Sequence, residues 1–219
     1  MKKTELNITI EFTEPLLGSA NANPKIHEEF IAAKAPTATA AAEETAAIPE
    51  DAATAIEKQR TVFPRGTDGQ LILWDYQIRG FFKEAIAVLV ELGYKDNVGD
   101  LSKWSVKKSV DSFLFVGPRQ IPLLRDGKPI LGPDEIFQRP LRADTMQGPR
   151  VCLAASEKLH AGITVAFRVS LLESTNAKAK GILKAPAIRA ALDYGALKGF
   201  GQWRSGGYGR FTWSEQPAA

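Results

Sequence analysis

Gly199-Phe200-Gly201-Gln202-Trp203-Arg204-Ser205-Gly206-Gly207-Tyr208-Gly209-Arg210-Phe211 is the part of this 219-residue chain from which the rest is read. Glycine accepts a positive φ and lets a second backbone come close, so successive amides in such a loop can converge on an anion. Lys198, Arg204 and Arg210 add positive charge that no acid inside the loop interrupts. Trp203 and Tyr208 offer flat faces for an unpaired base, worth roughly 1–3 kcal/mol per base where stacking occurs; alternatively they support the loop from beneath. The spacing is glycine, apolar, glycine, five residues, glycine, apolar, glycine. It leads into a closing strand at 209–213, whereas a dinucleotide fingerprint follows a first strand and opens a helix. The expectation is a loop that holds single-stranded nucleic acid with Lys198, Gly199, Gly201, Gln202, Trp203, Arg204, Ser205, Gly206, Gly207, Tyr208 and Arg210.

Upstream of the loop, residues 187–197 read as a helix, and 151–156 and 164–172 as strands joined by a tight connection at 157–162, an antiparallel pair. At the other end, Leu6-Asn7-Ile8-Thr9-Ile10-Glu11-Phe12 alternates apolar and polar residues, the period of a half-buried strand. Residues 61–65 and 71–74 flank the turn Thr67-Asp68-Gly69-Gln70 as a hairpin. Asp75 then caps a helix from 76 to 92 whose apolar stripe is Ile78, Phe81, Phe82, Ala85, Ile86 and Leu89. Arg79 and Lys83 lie one turn apart on that helix, where they either face phosphate or are simply solvated. A second helical piece spans 101–108 and a strand 113–116. Residues 118–149 are rich in Pro, Gly and Arg, a pattern that predicts an extended hairpin arm on which Arg139, Arg142 and Met146 are candidate contacts. Residues 34–56, rich in Ala, Thr, Glu and Pro, predict a surface insertion. The order of elements predicts one α+β domain over residues 1–219. Its antiparallel sheet carries helices on one face, an arrangement compatible with the ferredoxin-like, RRM-related fold.

Composition narrows the function. A net charge of +3 means that any nucleic-acid surface is a local patch. Cys152 is the only cysteine, so an intrachain disulfide or a multi-cysteine zinc site is excluded, and it reads as a small apolar strand residue. His27 and His160 do not make a metal site, and no cofactor is expected. The first residues lack the apolar core of a signal peptide and no run reaches the length of a membrane span, so a cytoplasmic protein without membrane contact is expected.

The glycine spacing resembles the C-terminal glycine-rich loop of the RAMP superfamily, repeat-associated proteins that process or coat guide RNA in CRISPR systems. Two further regions are similar: the hairpin-to-helix segment from Thr67 to Lys83, and Arg139-Pro140-Leu141-Arg142-Ala143-Asp144-Thr145-Met146-Gln147-Gly148 with the strand after it. Together they span about residues 61–213. In that superfamily the helix begins with small polar residues, then a basic residue and a glycine, beside guide-RNA phosphates; Asp75 and Tyr76 depart from the small polar pair. The resemblance implies a non-catalytic protein that coats single-stranded RNA, or DNA, as a homo-oligomer or filament with other effector subunits. Small phage-borne proteins also look like this chain, so a CRISPR operon is not implied, and a phage structural protein that kept the fold is an alternative.

Some RAMP relatives cut RNA with a histidine near the N-terminus, and His27 stands in a comparable region. A metal-independent endoribonuclease using His27 as general base is therefore the enzymatic alternative, although Glu28 and Glu29 beside it would repel RNA. Relatives that cut target RNA use an aspartate after the first strand, and residues 18–30 contain none.

Overall fold

The computed structural model describes residues 2–22, 60–146, 148–173 and 182–216. In chain order they form β1 (Lys2–Phe12), β2 (Leu16–Leu17), β3 (Ala20–Asn21), β4 (Thr61–Val62), β5 (Ile72–Trp74), α1 (Asp75–Glu91), α2 (Lys95–Val98), α3 (Lys103–Phe113), β6 (Leu114–Gly117), β7 (Gln120–Pro122), β8 (Leu124–Arg125), β9 (Lys128–Pro129), β10 (Glu135–Thr145), β11 (Gly148–Leu159), β12 (Ile163–Glu173), α4 (Ala185–Lys198) and β13 (Phe211–Gln216). This is a mixed α+β architecture with antiparallel sheets. His27 and the expected insertion at 34–56 lie outside the described residues.

The main sheet runs β13-β1-β12, and β6 and β8 both pair with the free side of β12. Alternation in β1 buries Leu6, Ile8, Ile10 and Phe12, and β12 answers with Ile163, Val165, Phe167, Val169 and Leu171 in a register that sets Ile8 opposite Phe167. Helices α1 and α4 cover this apolar face. They approach closely because Gly195 has no side chain: a Cβ there would lie 2.3 Å from Phe81 Cζ. The other face of the sheet carries Asn7, Thr9, Ala166, Arg168, Ser214 and Gln216, at positions paired across β13, β1 and β12.

The expected pairing of 151–156 with 164–172 is corrected. β11 pairs with β10, β2 and β4, and β12 pairs with β1. The physical reason is burial: Val151 and Leu153 are 68% and 66% exposed and offer no inward stripe for β12 to match. The expected hairpin at 61–74 shrinks to one bridge, Arg65 with Leu71, because β5 pairs with β7 and β4 joins β11 and β3. Asp75 is the first residue of α1; the entry is held by Gln77, whose Oε1 accepts from Trp74 N at 2.8 Å and whose Nε2 donates to Ser19 Oγ at 2.8 Å.

β10 and β11 form a hairpin of long strands, offset from the 118–149 stretch. The first part of that stretch turns back instead, and Ile121, Leu123 and Ile130 enter the core. Two polar knots pin the hairpin's base. Asp134 accepts from Arg125 Nη1 and Nη2 at 2.8 and 2.6 Å and from the His160 amide at 2.7 Å. The Arg125 bonds, reinforced by that amide, pull its carboxyl down to about 2. Glu157, 2% exposed, accepts from Phe63 N at 2.8 Å and from Arg65 Nη1 and Nη2 at 3.1 and 2.8 Å.

Candidate nucleic-acid interface

The glycine loop is a closed structure welded to the core. Phe200 N donates to Gly209 O at 2.8 Å and Gly209 N to Pro15 O at 2.8 Å, while Thr13 N and Glu14 N donate to Arg210 O at 3.0 and 3.3 Å. The Phe200 ring sits 6.4 Å from Phe12 and 5.8 Å from Phe81, so the loop's neck is continuous with the aromatic core. Several of the loop's amides are already engaged within the protein. Gly199, Gly206 and Gly207 donate to the carbonyls of Gly195, Trp203 and Arg204, and Phe200 and Gly209 are engaged as above. At these positions the glycines serve close backbone approach.

Those side chains divide into three groups. Lys198 and Arg210 are exposed and have no carboxylate partner among the described residues. Their backbone segments meet at the neck, where a Cβ on Gly199 would lie 3.3 Å from Arg210 N. Arg204 donates from Nη1 to Glu84 Oε2 at 2.8 Å, an acid supplied by α1 that the loop sequence does not reveal. Arg79 bonds Asp75 at 3.3 Å and Lys83 bonds Asp111 at 2.5 Å, so both expected helix cations are already ion-paired. Surface pairs of this kind hold each other weakly, about 0–1 kcal/mol, and exchange readily for a phosphate.

The aromatic residues support the loop and tie it to the arm. Trp203 stacks on Tyr208 with ring centroids 5.0 Å apart and on Phe137 of β10 at 5.6 Å. Tyr208 lies 5.5 Å from Phe137, and the Arg139 guanidinium is 4.2 Å from the Trp203 ring centre. Trp203 adopts the left-handed region, φ 50°, which turns its ring under Gly206. Phe137 and Arg139 are two residues apart in a strand and so point the same way; that shared face is what reaches the loop. Further out, Arg142 occupies the register position opposite Val151, and Met146 at the hairpin turn is fully exposed. Ser205 is exposed and Gln202 half-buried within the loop.

Phe137 and Gly80 stand beside the expected residues without being among them. Phe137 had a signal, its two-residue spacing from Arg139. Gly80 is exposed within α1, where a Cβ would meet nothing within 4 Å. No internal packing explains a glycine there. With Lys83 and Glu84 three and four residues on, it lies on the helix face that meets Arg204.

Among the described residues no group of three or more His, Cys, Asp or Glu is arranged to hold a metal ion, and no helix is long and apolar enough to cross a membrane. No protein-family model and no curated protein sequence matches the chain. Among solved structures it is similar to a chain of the Type III-B Cmr-beta complex bound to cognate target RNA, with 11% identity and a TM-score of 0.48; the match covers all of this chain and 62% of that one. It is also similar to a chain of a Type IV-B CRISPR complex, with 12% identity, a TM-score of 0.45, and coverage of 99% and 92%.

Proposed function

We propose that this protein binds single-stranded nucleic acid, RNA in preference to DNA, as a non-catalytic RAMP-type subunit. The observation that carries the reading is the neck of the glycine loop, where a backbone fixed to the core brings together the segments bearing Lys198 and Arg210, both exposed and without a carboxylate partner among the described residues. A backbone that is already fixed lowers the ordering cost of meeting phosphate. We further read the domain as ferredoxin-like: β1, α1, β6, β12, α4 and β13 follow one another in the chain and take the sheet order β13-β1-β12-β6. RRM-type proteins stack bases on aromatics of the open sheet. Here the outward positions of the two central strands, Glu5, Asn7, Thr9, Glu11, Thr164, Ala166, Arg168 and Ser170, carry no aromatic ring, and Phe115 of β6, opposite Ser170, stands alone at the side of that face among the described residues; this favours the loop and arm. Assembly into a homo-oligomer or filament with other subunits, in a cytoplasmic setting, belongs to the same proposal.

The test is binding of labelled oligouridylate followed by anisotropy over a range of salt concentrations. Replacing Lys198 and Arg210 together by alanine is expected to flatten the salt dependence by about 1.4 in log–log slope, since each single-strand phosphate contact contributes about 0.7. Identical slopes for the variant and the wild type would remove the loop from the interface. Oligothymidylate in parallel measures the preference for the 2′-hydroxyl.

Gly80→Ala gives a second test. With open space around the new methyl, the change is expected to stabilise α1 by about 0.5–1 kcal/mol in thermal unfolding. The same methyl occupies the surface a strand would cross, so affinity is expected to fall several-fold. A variant that gains stability and keeps full affinity places the strand elsewhere.

A further inference from the structure

Helix α3 presents an outward face that none of the contacts above uses. Trp104 is 92% exposed, the most open large aromatic among the described residues, and Lys107 and Lys108 follow three and four residues later, both exposed and without a carboxylate partner among those residues. These spacings place the indole and both ammonium groups on neighbouring positions of one helix face. The acids that meet this helix are occupied: Asp111 of α3 binds Lys83, and Glu91 of α1 binds Lys103. The Lys83–Asp111 pair adjoins Glu84, which holds Arg204 of the glycine loop. A continuous path therefore leads from the loop across α1 and along about 10 Å of α3, from Asp111 back to Trp104. Asp96 and Asp100, exposed just before α3, mark where a polyanion would stop.

We propose that α3 extends the nucleic-acid track beyond the loop, with Lys107 and Lys108 contacting phosphates and Trp104 stacking an unpaired base at the end of the path. This rests on the nucleic-acid reading of the loop. An exposed indole beside two lysines that have no carboxylate partner among the described residues suits a strand with alternating bases and phosphates; an apolar protein surface would leave both ammonium groups buried without partners.

The experiment compares oligouridylates of about 6 and about 16 nucleotides, lengths within the range that single binding modules occupy. The longer oligomer is expected to bind the wild type about tenfold more tightly, and Trp104→Ala to abolish that advantage while leaving the short oligomer's affinity unchanged. Lys107→Ala with Lys108→Ala should lower the salt slope for the long oligomer alone. Trp74 is wholly buried and Trp203 and Trp213 are half-buried, so the part of the acrylamide quenching that Trp104→Ala removes reports on Trp104, and that part should fall when the long oligomer is added. Equal affinities for both lengths, or a length advantage that survives Trp104→Ala, overturn the proposal while the loop reading stands. Absence of binding by either oligomer overturns both. A Trp104→Ala variant that changes sedimentation and not affinity overturns it in favour of a protein contact.

Discussion

Glu157→Ala is expected to destabilise the protein by about 3–5 kcal/mol, toward the lower end because Arg65 keeps a route to water. The carboxylate is 2% exposed and Arg65 20%, and the pair is bidentate, with Arg65 Nη1 also donating to Phe63 O at 2.6 Å. Removing it leaves a guanidinium and the Phe63 amide without their acceptor in a place water barely reaches, and a buried donor left alone costs more than its bond contributed. The loss also falls on the arm. Glu157 is where β11 is fastened to residues 61–65, and next to it Thr61 Oγ1 donates to Ser156 Oγ at 2.8 Å. Urea unfolding measures the effect. A change below about 1 kcal/mol would show that the knot is not structural, and Glu157→Leu with Arg65→Met, which removes both charges, should recover most of the loss.

The same residue shows where sequence reading reached its limit. Glu157-Lys158 looks like a polar turn because its partner Arg65 lies 92 residues away. Period two in β1 and β12, and the apolar stripe of α1, were legible because each reports its own burial. Which strand meets which was not: β11 alternates too, but its outer residues face solvent along a hairpin and its inner end joins short strands that have no periodicity. In the loop, composition displays the cations and glycines but not what surrounds them. Glu84, Phe137 and Pro15 reach the loop from three distant segments, and they turn Arg204 into a paired ion, Trp203 into a support and the Gly209 amide into a bond. Lys198 and Arg210 have no carboxylate partner among the described residues.

That neck makes Gly209→Ala the sharpest test of what the glycines do. Gly209 has φ +71°, and a Cβ there would lie 1.9 Å from Phe200 O, an atom that cannot move without releasing the Phe200 ring from the aromatic core. Backbone strain and overpacking together are expected to cost about 2–4 kcal/mol. For a chain of this length that lowers the melting temperature by about 5–15 °C. Affinity for oligouridylate is expected to drop with it, below melting, because Lys198 and Arg210 are held together only while the neck is closed. Gly207→Ala separates the two effects. Its φ is +86°, yet nothing lies within 4 Å of a Cβ, so only the left-handed strain applies, about 1 kcal/mol, and the neck stays shut. If both variants lose affinity equally, the flexibility of the whole loop matters and closure of its neck does not. If only Gly209→Ala does, the glycines act by permitting one backbone to press against another, and the cations bind because of where that contact puts them.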